Sequence, residues 1–296
     1  MSEQNPSLTL GFIGVGVMGE PMCRHLVARS GARVLVHDTR RDPLERLAQL
    51  GAGISDVARM SQNASVIFLS LPSGEVVRSV VFGDGGLLGL LRAGQTVVDL
   101  STSSVDVTLE VAEALARRGV HFADAPVMRT RAAAEAGTLA VPVGAPDDVY
   151  ERIEPLIRTF ASDVLHAGKV SAGQVVKILN NMVLYETVLA LCEACAISRR
   201  AGVAADVLLN ALSTGSADSF ALRNHGLKAI APQKFPLQAF PVSYARKDIS
   251  YALALAERVG VDACGARNLI DTFDRAIAAG HGDKYAPAIS LLFEEK

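Results

Sequence analysis

Lys177 and Asn181 stand four residues apart in a stretch whose neighbours, Val175, Val176, Ile178, Leu179, Met182 and Val183, are apolar. On a helix, residues i and i+4 share a face, so an ammonium and an amide would project toward one spot. An ammonium placed there can give a proton to a carbonyl oxygen, or accept one from an alcohol in reverse. The same lysine can also run its stem along an apolar helix and leave its charge in water. Spacing alone leaves both readings open. Asn180 points about 100° away around the helix and offers both a donor and an acceptor to a ligand.

A second set of residues has a different chemistry. Gly14-Val15-Gly16-Val17-Met18-Gly19 is a G-x-G-x-x-G between a β-like run, LTLGFIGV, and a helix-like run, MGEPMCRHLVAR. In such a turn the first glycine permits the tight bend, the second admits a pyrophosphate to the backbone, and the third lets helix pack on strand. The helix start adds N–H donors and positive dipole. Asp38 follows Gly16 by 22 residues, at the end of the next strand-like run. There a carboxylate can accept from the ribose hydroxyls of a dinucleotide. It also repels a 2′-phosphate, which favours NAD, whereas Arg40 and Arg41 can bind that phosphate and keep NADP open. Ser101 and Thr102 close the strand-like QTVVDL, at the carboxyl edge where ligands of such sheets bind.

Other reactive residue types carry less. Cys192 and Cys195 form a C-x-x-C inside the apolar LALCEACAIS and, like Cys23 and Cys264, read as buried thiols. The histidines, His37, His121, His166, His225 and His281 among them, show no metal-ligand spacing, and no metal site is expected.

The elements that must position these groups change character along the chain. Up to about Gly168, short strand-like runs (ARVLVHD, ASVIFLSL, QTVVDLS, HFADAPV, GTLAVPVGA, DVLHAGK) alternate with helical ones (RRDPLERLAQLG, VDVTLEVAEALARRG, DDVYERIEPLIRTF). That alternation predicts βαβ units and a parallel sheet covered on both faces. From Ser171 to Ala201 there is no proline and a single glycine, Gly173, predicting a helix of about 45 Å. Helices follow at ADVLLNALS, FALRNHGLKAI, VSYARKDISYALALAERVG and ARNLIDTFDRAIAAG. The expected fold is an α/β N-terminal Rossmann domain, doubly wound with a mostly parallel sheet, over residues 1–168. An all-α C-terminal domain over 169–296 is joined to it by the long helix.

Of the 296 residues, half are hydrophobic and a fifth charged, with 29 basic against 31 acidic. This is a globular composition, with no excess of positive charge to attract nucleic acid. No uncharged apolar run reaches the roughly 20 residues of a membrane span. The polar start, MSEQNPS, lacks the basic and apolar regions of a secretory signal. A cytoplasmic protein without nucleic-acid or membrane partners is expected. A long apolar helix with little sheet to cover it further predicts a homodimer or homotetramer.

Taken in order, GFIGVGVMGEPM (11–22), LP (71–72), DLST (99–102), DAPV (124–127), AEAGTL (134–139), GQVVKILNN (173–181) and RKD (246–248) resemble the β-hydroxyacid dehydrogenase family. This family is of 3-hydroxyisobutyrate dehydrogenase type, within the wider 6-phosphogluconate dehydrogenase-like group. The resemblance covers nearly the whole chain. It implies reversible hydride transfer between a nicotinamide cofactor and the alcohol or carbonyl carbon of a short anionic 3-hydroxy acid or semialdehyde. It places the catalytic lysine on Lys177 and its partner on Asn181, and substrate contacts on Ser101 and Asn180. Thr39, Leu71, Pro72, Thr102 and Lys247 join the glycine turn and Asp38 as cofactor contacts. The chain departs from the family after DAPV, where Ser-Gly-Gly is usual and Met128-Arg129-Thr130 stands. Arg129 brings a fork that can grip an oxyanion bidentately, and Thr130 keeps a hydroxyl. An Arg-Thr pair here is similar to the branch containing sulfolactaldehyde reductase, so a sulfonate substrate is one alternative and a structural salt bridge of Arg129 another. Ser171 and Ala145 also occupy usual glycine positions. An imine reductase and a non-catalytic dinucleotide-binding protein remain rival readings, and retention of Lys177 argues against both.

Overall fold

The computed structural model describes residues 8–237 and 239–294, so the polar start of the sequence lies outside the described residues. They form two compact units, divided between Lys177 and Ile178. The division falls inside the long helix.

The first unit is built on one sheet. Its strands are β1 (Thr9–Ile13), β2 (Arg33–His37), β3 (Gly53–Ile54), β4 (Val66–Leu69), β5 (Thr96–Asp99), β6 (His121–Asp124), β7 (Leu139–Gly144) and β8 (Ala161–Gly168). They are ordered β3-β2-β1-β4-β5-β6-β7-β8. All neighbours are parallel except β6 and β7, whose antiparallel register pairs Asp124 with Gly144 and continues to a bridge between Met128 and Ala140. The strands read as unbroken apolar runs because both faces are covered and successive side chains alternate between them. Leu10, Phe12, Val34, Val36, Phe68, Val98 and Ala123 face one core, whereas Ile13, Leu35, Ile67, Leu69, Val97 and Phe122 face the other.

The helices between the strands are α1 (Gly19–Arg29), α2 (Arg41–Gln49), α3 (Val57–Asn63), α4 (Gly74–Phe82), α5 (Leu87–Leu90), α6 (Val105–Ala116), α7 (Arg131–Ala136) and α8 (Asp147–Ile157). Sequence periodicity did not single out α3, α4, α5, α7 or the two-residue β3. These elements are short, and α3 and α4 start on side-chain caps. Asp56 accepts from the Arg59 N–H at 2.7 Å, and Ser73 from the Val76 N–H at 3.4 Å.

α9 (Ala172–Arg200) is the expected long helix, 29 residues and about 43 Å. By length and composition it is apolar enough to cross a membrane. Core helices share that property, and Tyr185, Val188, Leu191, Cys192 and Cys195 are buried in the second unit's own core. Burial also pushes the Cys192 thiol far up, which makes it unreactive at neutral pH. The rest of that unit is α10 (Ala205–Leu212), a π-helix over Leu222–Ile230, α11 (Val242–Arg258), α12 (Cys264–Ala278) and a 3₁₀ segment, Ala286–Phe293. An ordinary helix was expected at 220–230. The structure instead has the wider π turn, closed by the Ala231 N–H donating to the Gly226 carbonyl. Leu209 of α10 packs directly over Gly226.

Candidate active site

The glycine turn is built as its spacing predicts. Gly14 has φ +90°, donates its N–H to the His37 carbonyl at 2.9 Å, and leaves no room for a Cβ beside the Ser70 carbonyl. A Cβ on Gly19 would collide with the Gly14 carbonyl. Gly16 differs. A Cβ there meets only the end of the Arg40 side chain, at 3.4 Å. The protein's own packing therefore requires the first and third glycines, whereas the second keeps backbone open to something outside the chain. No side chain caps the start of α1; its Glu20 N–H donates to the Gly16 carbonyl at 2.9 Å and Pro21 has no N–H, while the positive end of its dipole lies at the turn. Val15 is buried and Val17 exposed.

Asp38 ties the turn together. Its Oδ2 accepts from the Val15 N–H at 2.8 Å and its Oδ1 from the Arg40 N–H at 2.8 Å. The Arg40 guanidinium lies 3.5 Å from the same Oδ1 and is largely exposed. These residues fit a dinucleotide: the open Gly16 backbone at the positive end of α1 suits a pyrophosphate, and the fixed Asp38 carboxylate suits ribose hydroxyls. Thr39 directly follows Asp38, just beyond the end of β2, and is exposed.

At the ends of β4, β5 and β6 lies a buried polar network. The Leu71 N–H donates to Ser101 Oγ at 2.9 Å, and Asp99 accepts the Ser101 N–H at 2.9 Å and a hydrogen bond from its hydroxyl. Ser103 Oγ donates to Asp99 Oδ2 at 3.1 Å. Burial pushes the Asp99 carboxyl up to about 6 against these bonds. Beside it, Asp124 accepts the Ser171 N–H at 2.6 Å and the Gln174 N–H at 2.8 Å, and burial pushes it up to about 7. Asp124 thus caps α9 one and a half turns before Lys177.

Two of the expected substrate residues have polar partners within the chain. Ser101 is buried, and its hydroxyl accepts from the Leu71 N–H, which holds the Leu71-Pro72 loop to the end of β5. Thr102, next to it, is half-buried and reaches the surface. Arg129 does not present an open fork. Its Nη1 donates to the Thr138 carbonyl at 2.6 Å and Ser162 Oγ at 2.8 Å, while Nη2 pairs with Asp163 at 2.8 Å. Its backbone keeps a left-handed φ of +82°, the conformation the usual glycine would adopt freely. Thr130 is exposed at the start of α7.

In the second unit, Asn181 is buried and gives its Nδ2 to Asp248 Oδ2 at 2.6 Å, while Asn180, exposed, donates to Asn181 Oδ1 at 3.1 Å. Lys247 Nζ lies 3.2 Å from Asp248 Oδ1 and over the rings of Tyr251 and Tyr244 at 5.3 and 5.8 Å. Lys177, in the first unit, is half-buried on α9. Asp99, Asp124, Gln174 and Asp248 are site-building residues that sequence reasoning did not assign. All four lay inside the motifs DLST, DAPV, GQVVKILNN and RKD, and a carboxylate ending an apolar strand was the available signal for Asp99 and Asp124.

An open glycine turn, a ribose-type carboxylate and a lysine-bearing helix capped on the strand ends define a dinucleotide-binding oxidoreductase of doubly wound fold. A family model for the NAD binding domain of 6-phosphogluconate dehydrogenase matches residues 9–168, and one for NADP-dependent 3-hydroxyisobutyrate dehydrogenase matches residues 171–292. The 3-hydroxyisobutyrate dehydrogenase of Pseudomonas aeruginosa is 33% identical, covering 97% of this chain and 99% of the relative. The 2-(hydroxymethyl)glutarate dehydrogenase of Eubacterium barkeri is 30% identical over 98% and 96%. Among solved structures, the 3-hydroxyisobutyrate dehydrogenase of Mycobacterium tuberculosis, determined with L-serine, superposes with a TM-score of 0.88 at 27% identity over 97% and 99%. The chain belongs to the β-hydroxyacid dehydrogenase family, of 3-hydroxyisobutyrate dehydrogenase type, and is an NAD(P)-dependent oxidoreductase.

Proposed function

We propose that the protein interconverts a short anionic 3-hydroxy acid and its semialdehyde, with Lys177 as general acid and base. The observation that carries this reading is the capped start of α9, which holds Lys177 one turn beyond Gln174 at the strand ends. The bound dinucleotide supplies or accepts the hydride. The turn from Gly14 to Gly19 at the positive end of α1 would hold its pyrophosphate, Asp38 its ribose, and Thr39, Leu71, Pro72 and Thr102 its remaining length; Lys247 is a further cofactor contact on the second unit's own α11. Lys177 holds the proton that the substrate oxygen gains or loses. Asn181, clamped by Asp248, keeps its amide in one orientation beside it on the helix face. Thr130 and Asn180 offer the exposed hydroxyl and amide for the anionic tail. Arg129 braces the β7–β8 corner through Asp163, which favours a carboxylate over a sulfonate tail.

NAD is the favoured cofactor, because a nearly enclosed carboxylate at Asp38 disfavours a 2′-phosphate, although Arg40 stands close by. Exposed Leu179, Val183 and Ile197 on α9 support a homodimer or homotetramer, and the reading is of a cytoplasmic enzyme.

Initial rates with methylmalonate, succinic and tartronate semialdehydes and sulfolactaldehyde, each with NADH and NADPH, test this on wild type, Lys177→Met and Arg129→Ala. A carboxylate semialdehyde with NADH should lead. Lys177→Met should lose about 10²–10⁴ in kcat, and Arg129→Ala should change KM less than about threefold, since exposed ion pairs are weak. A Lys177→Met enzyme with more than a tenth of wild-type kcat would overturn the assignment. If sulfolactaldehyde led and Arg129→Ala cost tenfold, about 1.4 kcal/mol of transition-state binding, Arg129 would serve the substrate and not Asp163. NADH binding without turnover of any aldehyde would favour the non-catalytic reading.

A further inference from the structure

Gln174 is fully buried and satisfied at every polar group the structure assigns it. Its Nε2 donates to the Ser101 carbonyl at 2.8 Å, its Oε1 accepts the Ser103 N–H at 3.1 Å, and its own N–H donates to Asp124 Oδ2 at 2.8 Å. The two side-chain bonds fall on the carbonyl before Thr102 and the N–H after it. One amide therefore brackets Thr102, and its orientation is forced, since a carbonyl needs the NH₂ end and an N–H needs the oxygen. Lys177 lies three residues on, the next position on that side of α9. The helix start has no slack, because a Cβ on Gly173 would come 2.7 Å from the carbonyl oxygens of both Asp124 and Pro142.

We infer that Gln174 is a positioning residue that sets the spacing between Thr102 and Lys177. The inference rests on the proposed catalytic role of Lys177. Asp124 anchors the helix to β6, and Gln174 anchors the β5 loop to the helix, so the loop and the lysine move as one piece. A loose splint would leave the dinucleotide turn intact and misplace only the reacting groups, where misplacement by about 1 Å can cost about a hundredfold in rate.

The test uses Gln174→Met, which keeps the volume and removes both side-chain bonds, and Gln174→Glu, whose protonated carboxyl restores a donor and an acceptor. Single-turnover reduction of succinic semialdehyde with 4-deuterated NADH reads the hydride step, NADH fluorescence reads binding, and amide exchange at Ser103 reads the splint in cofactor-free protein. The expected result for Gln174→Met is a hydride step at least tenfold slower, Ser103 exchange at least tenfold faster, and an NADH Kd within threefold of wild type. Activity of Gln174→Glu, taken as a ratio to wild type at each pH, should rise as pH falls.

A hydride step within twofold of wild type, or one slowed only in proportion to lost NADH binding, would overturn the inference. A flat ratio for Gln174→Glu would do so too, and that variant decides the matter if Gln174→Met does not fold. Lys177→Met run alongside separates the two claims. If it stays active, the proposed catalytic role fails; if it is inactive while Gln174→Met is normal, only the positioning role fails.

Discussion

The three glycines of the turn separate what folding requires from what a ligand requires. Gly14 and Gly19 are pressed against the carbonyls of Ser70 and Gly14, so alanine there displaces backbone, whereas Gly16 faces one flexible arginine tip. Gly16→Ala should therefore leave Tm within about 1 °C of wild type, under the roughly 2 °C that 1 kcal/mol produces in a chain of this size. It should weaken NADH at least tenfold, a change read by fluorescence titration. Gly19→Ala should lower Tm itself, and equal thermal losses in the two variants would refute the distinction. Two positions where glycine is usual in the family keep its geometry without it. Ser171 (φ +81°) and Arg129 (φ +82°) hold a left-handed backbone, a strain of about 1–3 kcal/mol each. At Ser171 the 2.6 Å bond from its N–H to Asp124 offsets part of that cost.

At the scale of elements, the π-helix sets a titratable group inside the helical core. It carries His225, 5% exposed, whose Nδ1 lies 2.6 Å from the Tyr285 hydroxyl. Tyr285 in turn bridges to Pro241 at the start of α11. Burial holds His225 down to about 4 from an ordinary value of 6.5, and pushes Tyr285 up to about 12. At neutral pH the pair is therefore a neutral ring and a protonated hydroxyl, and the ring's tautomer decides which of them donates. Because the unfolded histidine binds its proton near 6.5 and the folded one only near 4, stability is fully present above 6.5. It is lost as pH falls toward 4, by up to roughly 3 kcal/mol. Denaturant titrations at pH 7 and pH 4.5 should show a smaller acid loss in His225→Gln than in wild type. Equal losses would show that His225 does not carry the effect. The wide turn was invisible to periodicity, which distinguishes a helix from a strand but not one helical pitch from another over nine residues.

For the whole molecule, cofactor binding and stability are linked. At one hundred times its Kd, NADH should stabilise the folded state by about 2.7 kcal/mol. Calorimetry should then show a larger Tm shift with NADH than with NADPH at equal concentration. The reverse order would mean that Arg40 outweighs Asp38 and that the cofactor is NADP. The fold class and the order of the elements were legible in the sequence, because strands buried on both faces must read as apolar runs and an amphipathic helix must repeat every 3.6 residues. The glycine turn and Asp38 were legible because both belong to one local βαβ unit. Tertiary structure alone decided which polar groups are spent on one another. Arg129 pairs with Asp163, 34 positions away, Ser101 bonds to Leu71 and Asp99, and Gln174 reaches back more than 70 positions to bracket Thr102. Local spacing names the groups able to do chemistry, but hydrogen-bonding capacity is finite, and only the packed chain shows which of it remains for a substrate.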